Sequence, residues 1–259
     1  MTTQASWTPL PLPTYLASLI ADAAAFADLV ADPAADLSEA VPACPGWSLH
    51  DLAEHLGQVH RWAAFALRED RPGPADDVAP TARAELAAWL RAGTAELLDL
   101  LTGLDPATPR WGFGNTPRTA AFWWRRQAQE TAVHLWDARA ALGHLVPMDA
   151  DLAADGIDEV ATVFFPRQVR LERCPPLTWS LAVHAVDRPC LGRGDGPDGS
   201  CWVIGGDGVD LPAPAATLRG SANDLLLVLW HRLPLPHPGV ELDGDADAAV
   251  AVLTSPIVP

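Results

Sequence analysis

The chain has 259 residues and a formal net charge of −16 at pH 7, from 17 basic and 33 acidic side chains. This length predicts one large or two modest domains, either of which can bury a core without disulfides or a structural metal. The negative charge repels phosphate backbones and anionic lipid, which argues against nucleic-acid or membrane-surface partners. All the basic residues are arginine, so lysine Schiff-base chemistry and P-loop nucleotide binding are excluded.

The first residues do not predict export or membrane insertion. Residues 1–13 contain no basic segment, and Asp22 and Asp28 interrupt the apolar stretch at residues 15–30. We therefore expect this stretch to be too short and too charged to cross a bilayer. The sequence contains four cysteines without a C-x-x-C pair: Cys44, Cys174, Cys190 and Cys201. We therefore expect free thiols and a cytoplasmic location. We also expect the protein to be either a monomer or a homodimer.

The first half of the sequence predicts four helices. The first covers residues 14–31, and the third covers residues 81–101. The second begins at Ser48, where Asp51 three residues later completes a capping-box pattern, and ends near Glu69.

The fourth helix is predicted to begin at Thr116, an N-cap residue followed by Pro117, and to end at Gly143. Long helices joined by loops pack most simply as an antiparallel four-helix bundle. The sequence therefore predicts such a bundle over residues 1–148.

Beyond residue 147 the pattern changes to short elements. Four runs are predicted strands: residues 177–186, 201–204, 216–219 and 240–242. Residues 221–224 cap a predicted helix at residues 225–231, and a last helix is predicted near residues 246–253. The predicted fold class is α+β, with the bundle followed by a smaller α+β domain over residues 149–259.

Three polar side chains of the predicted bundle are candidate metal ligands: His55, Glu130 and His134. At about 3.6 residues per turn, Glu130 and His134 lie one turn apart on the same face of the fourth helix. We expect this face to lie opposite an arginine-bearing one that also holds Gln129, and we expect His55 to lie opposite the charged side of the second helix. All three side chains are therefore predicted to point inward.

A buried carboxylate without a partner costs several kcal/mol of folding free energy. Coordination of a cation together with two imidazoles offsets that cost. Two histidines and one carboxylate leave coordination positions open, as in catalytic sites. Zinc is the default ion, and iron, nickel or manganese also suit these ligands. The alternative is a hydrogen-bonded Glu–His pair at i, i+4, which is common on helices without a metal.

Other polar residues near these three have simpler interpretations. Asp137 shares the predicted inward face and would either orient a histidine ligand or pair with an arginine. His60 is predicted to be structural or partly exposed, and Cys44 is predicted to be an inert thiol. Four tryptophans are predicted to pack in the core: Trp47, Trp62, Trp123 and Trp124.

Three segments resemble a known family. They are VPACPGWSLHDLAEHLGQVHRW (residues 41–62), RRQAQETAVHLWDA (residues 125–138) and LRGSANDLLLVLWHR (residues 218–232). These segments are similar to the mycothiol-dependent maleylpyruvate isomerases, whose N-terminal domain belongs to the DinB-like four-helix-bundle superfamily. The resemblance implies that zinc is bound by the histidine of the H-L-G segment and by both residues of E-x-x-x-H. These positions are His55, Glu130 and His134 in this sequence.

The resemblance also implies an activity. Zinc lowers the pKa of a bound thiol, so that the thiol binds as thiolate. Mycothiol, the small thiol of actinobacteria, would add to the cis double bond of maleylpyruvate and leave after rotation about the resulting single bond. The substrate is a dicarboxylate, and the resemblance implies an arginine from the C-terminal domain to hold it. Arg232, and less directly Arg219, are candidates, although either could instead form a salt bridge.

Two other functions are open at this point. The same site would suit a mycothiol S-transferase in detoxification or specialised metabolism. Alternatively, the protein would be a metal-stabilised binding module without turnover. An open coordination position favours an enzyme.

Overall fold

The structure is a computed structural model that describes residues 10–74, 77–114, 116–175, 177–188, 200–205 and 214–259. The chain divides into two compact units. The first comprises Pro11–Gly112 and Thr116–Met148, and the second comprises Asp149–Pro259 together with Leu10, Phe113 and Gly114.

Four long helices form the first unit: α1 (Leu12–Ala31), α2 (Leu49–Glu69), α3 (Arg83–Gly103) and α4 (Ala121–Ala141). Both α1 and α2 pack against α3 and α4, so that each helix has two neighbours. The predicted four-helix bundle is confirmed.

The start of α2 matches the sequence-based prediction. Oγ of Ser48 accepts a hydrogen bond from the backbone N–H of Asp51 at 3.2 Å. The Asp51 carboxylate in turn accepts from the backbone N–H of Ser48 at 2.8 Å, which completes the capping box. These two bonds satisfy backbone donors of the first turn and fix where the helix that carries His55 begins.

The start of α4 differs from its prediction at Thr116. The segment before Ala121 pairs instead with an earlier part of the chain. The backbone N–H of Arg110 donates to the carbonyl of Arg118 at 3.0 Å, and that of Ala120 donates to the carbonyl of Thr108 at 2.9 Å. Because these groups are used in tertiary pairing, the N-cap of the helix is Ala120, four residues after the predicted N-cap Thr116.

The faces of α4 also differ from the prediction. Fifteen of its 21 residues are buried, and they include Gln129, which was expected on a face opposite Glu130. Arg126 is buried as well, at 3% exposure. α4 therefore has no wide outer face, and the predicted outer position of Gln129 is wrong.

Within the described part of the chain, α1 alone has the length and apolarity of a membrane span. The sequence analysis, in contrast, predicts from Asp22 and Asp28 that this stretch is too charged to cross a bilayer. In the bundle, α1 packs against α3 and α4. Its buried residues recur at helical spacing: Tyr15, Leu19, Ala23, Phe26, Ala27 and Val30. This face of α1 therefore contributes to the core of the bundle.

The second unit begins with helices that the sequence analysis does not predict. These are α5 (Ala150–Glu159), a π-helical turn (Val160–Phe164) and α6 (Phe165–Arg170). The side chain of Asp149 accepts from the backbone N–H groups of Asp151 and Leu152, both at 3.0 Å. This N-cap is the sequence signal that could have predicted α5.

The remainder of the second unit is a mixed sheet with two helices. Its strands are β1 (Ser180–Ala185), β2 (Ser200–Gly205), β3 (Ala216–Gly220) and β4 (Val240–Gly244), in the order β2-β1-β3-β4. The central pair β1 and β3 is parallel, and both outer pairs are antiparallel. Two helices follow β3 and β4: α7 (Ala222–Leu229) and α8 (Ala246–Leu253). The predicted α+β class is confirmed.

Candidate metal centre

The structure brings His55 of α2 together with Glu130 and His134 of α4. Oε1 of Glu130 lies 3.4 Å from Nε2 of His55 and 3.2 Å from Nε2 of His134. One potential ligand atom from each of the three residues lies within 4.8 Å of the others. The three residues selected from the sequence are therefore close enough to share one ion.

The spacing of these atoms fits a small divalent ion. Zinc binds histidine nitrogen and carboxylate oxygen at about 2.0–2.2 Å, so that ligand atoms around a tetrahedral ion lie roughly 3.3–3.5 Å apart. The two measured separations from Oε1 of Glu130 are 3.2 and 3.4 Å. Two nitrogens and one oxygen suit zinc, and they also suit iron, nickel or manganese.

Burial of the three side chains is uneven. The exposed fraction is 35% for His55, 17% for Glu130 and 10% for His134. His55 is the most exposed of the three, although its Nε2 is directed at Glu130 of α4. A shallow open cavity of about 370 Å³ adjoins it, lined by Gly46, Trp47, Asp51, Glu54, His55 and Gln58. A small molecule can therefore approach the group from the His55 side.

Asp137 orients the His134 ring. Nδ1 of His134 donates to Oδ2 of Asp137 at 3.0 Å, and Asp137 is fully buried. With Nδ1 bonded to Asp137, Nε2 faces Glu130 and would bind a cation once it gives up its own proton. Of the two predicted roles of Asp137, this contact is the one that orients a histidine.

The charge state of the group follows from these contacts. Burial disfavours the charged form of His134, but hydrogen bonds to Asp137 and Glu130 outweigh burial and raise its pKa to about 9. Burial also opposes ionisation of Glu130, yet the charge of Arg126 and the bonds to both histidines hold its pKa well below the usual value. Glu130 is therefore an anionic ligand at neutral pH.

Sequence reasoning missed Arg126, which lies one helical turn before Glu130. Nη2 of Arg126 donates to Oε2 of Glu130 at 2.6 Å. The i, i+4 spacing of the two residues was the available signal.

His60 and Trp47 lie near the three candidate ligands. His60 is buried, with Nδ1 3.1 Å from Oγ1 of Thr94 and Nε2 3.0 Å from Oγ1 of Thr131. This contact bridges α2 to both α3 and α4, so the predicted structural role holds and the predicted partial exposure does not. The Trp47 ring is half-buried, and its centroid lies 4.9 Å from that of His55.

The cysteines do not join the group in the described residues. Cys44 is half-buried and Cys174 is buried, and neither forms a disulfide bond. Cys190 and the side chain of Cys201 lie outside the described residues. A second cluster of potential ligands on α2 consists of His50, Asp51 and Glu54. Asp51 already serves the capping box there.

Both candidate substrate arginines belong to the second unit. Nη1 of Arg219 lies 3.3 Å from Nδ1 of His184 on the adjacent strand. Arg232 follows α7, where its Nη1 donates to the carbonyl of Trp230 at 2.8 Å. The Arg232 guanidinium lies 5.5 Å from the centroid of the Trp230 ring. A catalytic role for Arg232 stays a prediction.

Fold and site together define a class of protein. In this class, the second and fourth helices of a four-helix bundle direct two imidazoles and one carboxylate to a common point, and an α+β unit follows the bundle. Family comparison agrees with this definition. The model of the mycothiol maleylpyruvate isomerase N-terminal domain matches residues 19–139, and the model of the C-terminal domain of the same family matches residues 151–251. The chain belongs to the mycothiol-dependent maleylpyruvate isomerase family.

Solved structures show the same fold. A crystal structure of the mycothiol-dependent maleylpyruvate isomerase is similar to this chain with a TM-score of 0.60 and 14% identity, covering 92% of this chain and 95% of the other. A structure of a histidine-to-alanine variant of that isomerase has the same TM-score and coverage, at 13% identity. Among curated proteins, none matches the chain significantly.

Proposed function

We propose that this protein is a zinc-dependent enzyme that uses mycothiol to isomerise maleylpyruvate from the cis to the trans form. One observation carries the proposal. In a chain of this family, Nε2 of His55, Nε2 of His134 and Oε1 of Glu130 converge at the spacing of ligands around one ion. Bound zinc would lower the pKa of a thiol and favour its thiolate form.

The residues of the chain prepare this site in three ways. Glu130 supplies one negative charge, because Arg126 and the two histidines keep it ionised. Asp137 directs Nε2 of His134 toward the ion position. The partial exposure of His55 and the adjoining cavity leave one side of the group accessible to a thiol and a small substrate. Three protein ligands leave room for that thiol.

Arg232 is our proposed substrate-binding residue. A guanidinium binds a carboxylate through two parallel hydrogen bonds, and maleylpyruvate has two carboxylates. We assign the metal to a bundle domain of residues 1–148 and Arg232 to a domain of residues 149–259. We expect a cytoplasmic location and no nucleic-acid or membrane partner, because the acidic chain repels both.

Elemental analysis of the purified protein and of Glu130→Gln tests the metal. We expect one zinc per chain in the wild type and loss of most of it in the variant, since the neutral amide removes the anionic ligand. Glu85→Gln on the exposed start of α3 is the matched control and should retain the metal. Equal zinc content in wild type and Glu130→Gln would contradict the site.

Incubation with mycothiol and maleylpyruvate tests the reaction. A catalytic amount of mycothiol that is regenerated while the trans isomer accumulates supports an isomerase. Mycothiol consumed into a stable adduct would instead identify an S-transferase. Zinc binding without turnover of maleylpyruvate or of a general electrophile would identify a metal-stabilised binding module.

A further inference from the structure

The two carboxylate oxygens of Glu130 have different surroundings. Oε1 faces both histidines, at 3.4 Å from Nε2 of His55 and 3.2 Å from Nε2 of His134. Oε2 accepts a hydrogen bond of 2.6 Å from Nη2 of Arg126. One oxygen is therefore directed to the candidate ion position, and the other is held by the guanidinium.

Breaking the hydrogen bond between Arg126 and Oε2 of Glu130 costs free energy. Arg126 is 3% exposed, and a buried guanidinium is destabilised when it loses a carboxylate partner. A hydrogen bond between two charged groups at this distance is also among the strongest in proteins. Both residues lie on α4, one turn apart, so the helix backbone maintains their spacing.

The number of Glu130 oxygens that bind the ion determines how many coordination positions remain open for other ligands. A carboxylate binds a cation through one oxygen or through both. If both oxygens of Glu130 bound the ion, they would occupy two positions, and with two histidines a four-coordinate ion would be filled. Binding through Oε1 alone leaves at least one position open.

We propose that Arg126 is a positioning residue that restricts Glu130 to one metal-bound oxygen and thereby keeps a coordination position free for the thiol. This inference rests on the proposed function, because it assumes an ion at the His55, Glu130 and His134 group. Arg126 itself touches neither the thiol nor the substrate in this role.

Crystal structures of the zinc-loaded wild type and of Arg126→Met test the proposal. In the wild type we expect Oε1 of Glu130 at about 2.0–2.2 Å from the zinc, with Oε2 still bonded to Arg126. In the variant, both oxygens should bind the zinc, since methionine fills similar volume but donates no hydrogen bond. A wild-type zinc bound by both oxygens of Glu130 would overturn the proposal, even if Arg126→Met failed to fold.

A titration with mycothiol provides a second measurement. In the cobalt-loaded protein, thiolate binding produces a charge-transfer absorption that follows occupancy of the open position. We expect Arg126→Met to weaken mycothiol binding at least tenfold while cobalt stays bound. Arg139→Met, the same change in the last turn of α4, should bind mycothiol like the wild type.

The outcomes separate this inference from the proposed function. Unchanged mycothiol affinity in Arg126→Met contradicts the positioning role and leaves the metal site intact. A wild type that binds neither zinc nor cobalt contradicts the proposed function, and the positioning role falls with it. A merely structural role of Arg126 would reduce stability without changing how Glu130 binds the ion.

Discussion

Nδ1 of His134 lies 3.0 Å from Oδ2 of Asp137, three residues later on the same helix, and this contact determines which nitrogen of His134 faces Glu130. Asp137 is fully buried, so its carboxylate needs the partner as much as the histidine does. The pair turns a flexible side chain into one that is oriented before any ion binds.

Replacement of Asp137 by asparagine should therefore weaken zinc binding roughly tenfold or more, because partners of this kind commonly contribute 10–100-fold to metal affinity. Competition with a chelating dye at pH 7 measures the dissociation constant. Asp99→Asn, an exposed position on α3, serves as the control and should not change it. A folded Asp137→Asn protein with wild-type zinc affinity would remove the orienting role.

Arg232→Met should lower kcat/KM for maleylpyruvate at least roughly 100-fold, because a two-bond carboxylate contact is lost. Zinc content should stay at one per chain, since Arg232 is not a proposed ligand. Arg219→Met is the informative comparison, because Arg219 already contacts His184. If kcat/KM falls further in Arg219→Met than in Arg232→Met, Arg219 rather than Arg232 binds the substrate.

The buried His60 should make stability depend on pH. Burial, together with the charges of Arg61 and His134, lowers its pKa to about 4, although Glu130 acts in the opposite direction. In the unfolded chain a histidine titrates near 6.5, so the unfolded state binds more protons between pH 6.5 and 4. The contribution of His60 to the free energy of unfolding is therefore fully present above pH 6.5, and it is lost as the pH falls toward 4.

His60→Gln should remove this contribution. The wild type should lose about 2 kcal/mol more unfolding free energy than the variant between pH 7 and pH 5. Urea denaturation at the two pH values measures the difference. Parallel losses in both proteins would show that His60 becomes charged in the folded state without penalty.

Ser48→Ala should lower the free energy of unfolding by about 1 kcal/mol, because the backbone N–H of Asp51 loses its acceptor at the start of α2. Thermal unfolding of the zinc-free protein measures the effect. Zinc affinity should change less than threefold, since the remaining turns of α2 still hold His55. Loss of zinc from a folded Ser48→Ala protein would mean that the cap also sets the geometry of the site.

Several features were predictable from the sequence because their causes are local. The capping box needs only Ser48 and Asp51, which lie within one helical turn of each other. The strands and α8 follow from short apolar runs between turn residues. Glu130 and His134 share a face through helical spacing alone.

Tertiary structure decided what depends on distant neighbours. The start of α4 moved to Ala121 because the preceding residues pair with residues 108–110. His55 is partly exposed because its position near the start of α2 lies beside an open cavity. Arg126 is buried, since α4 is enclosed on almost all sides. Periodicity within one helix tells which residues share a face, whereas the elements packed around that helix determine how deeply each face is buried and which charges meet there.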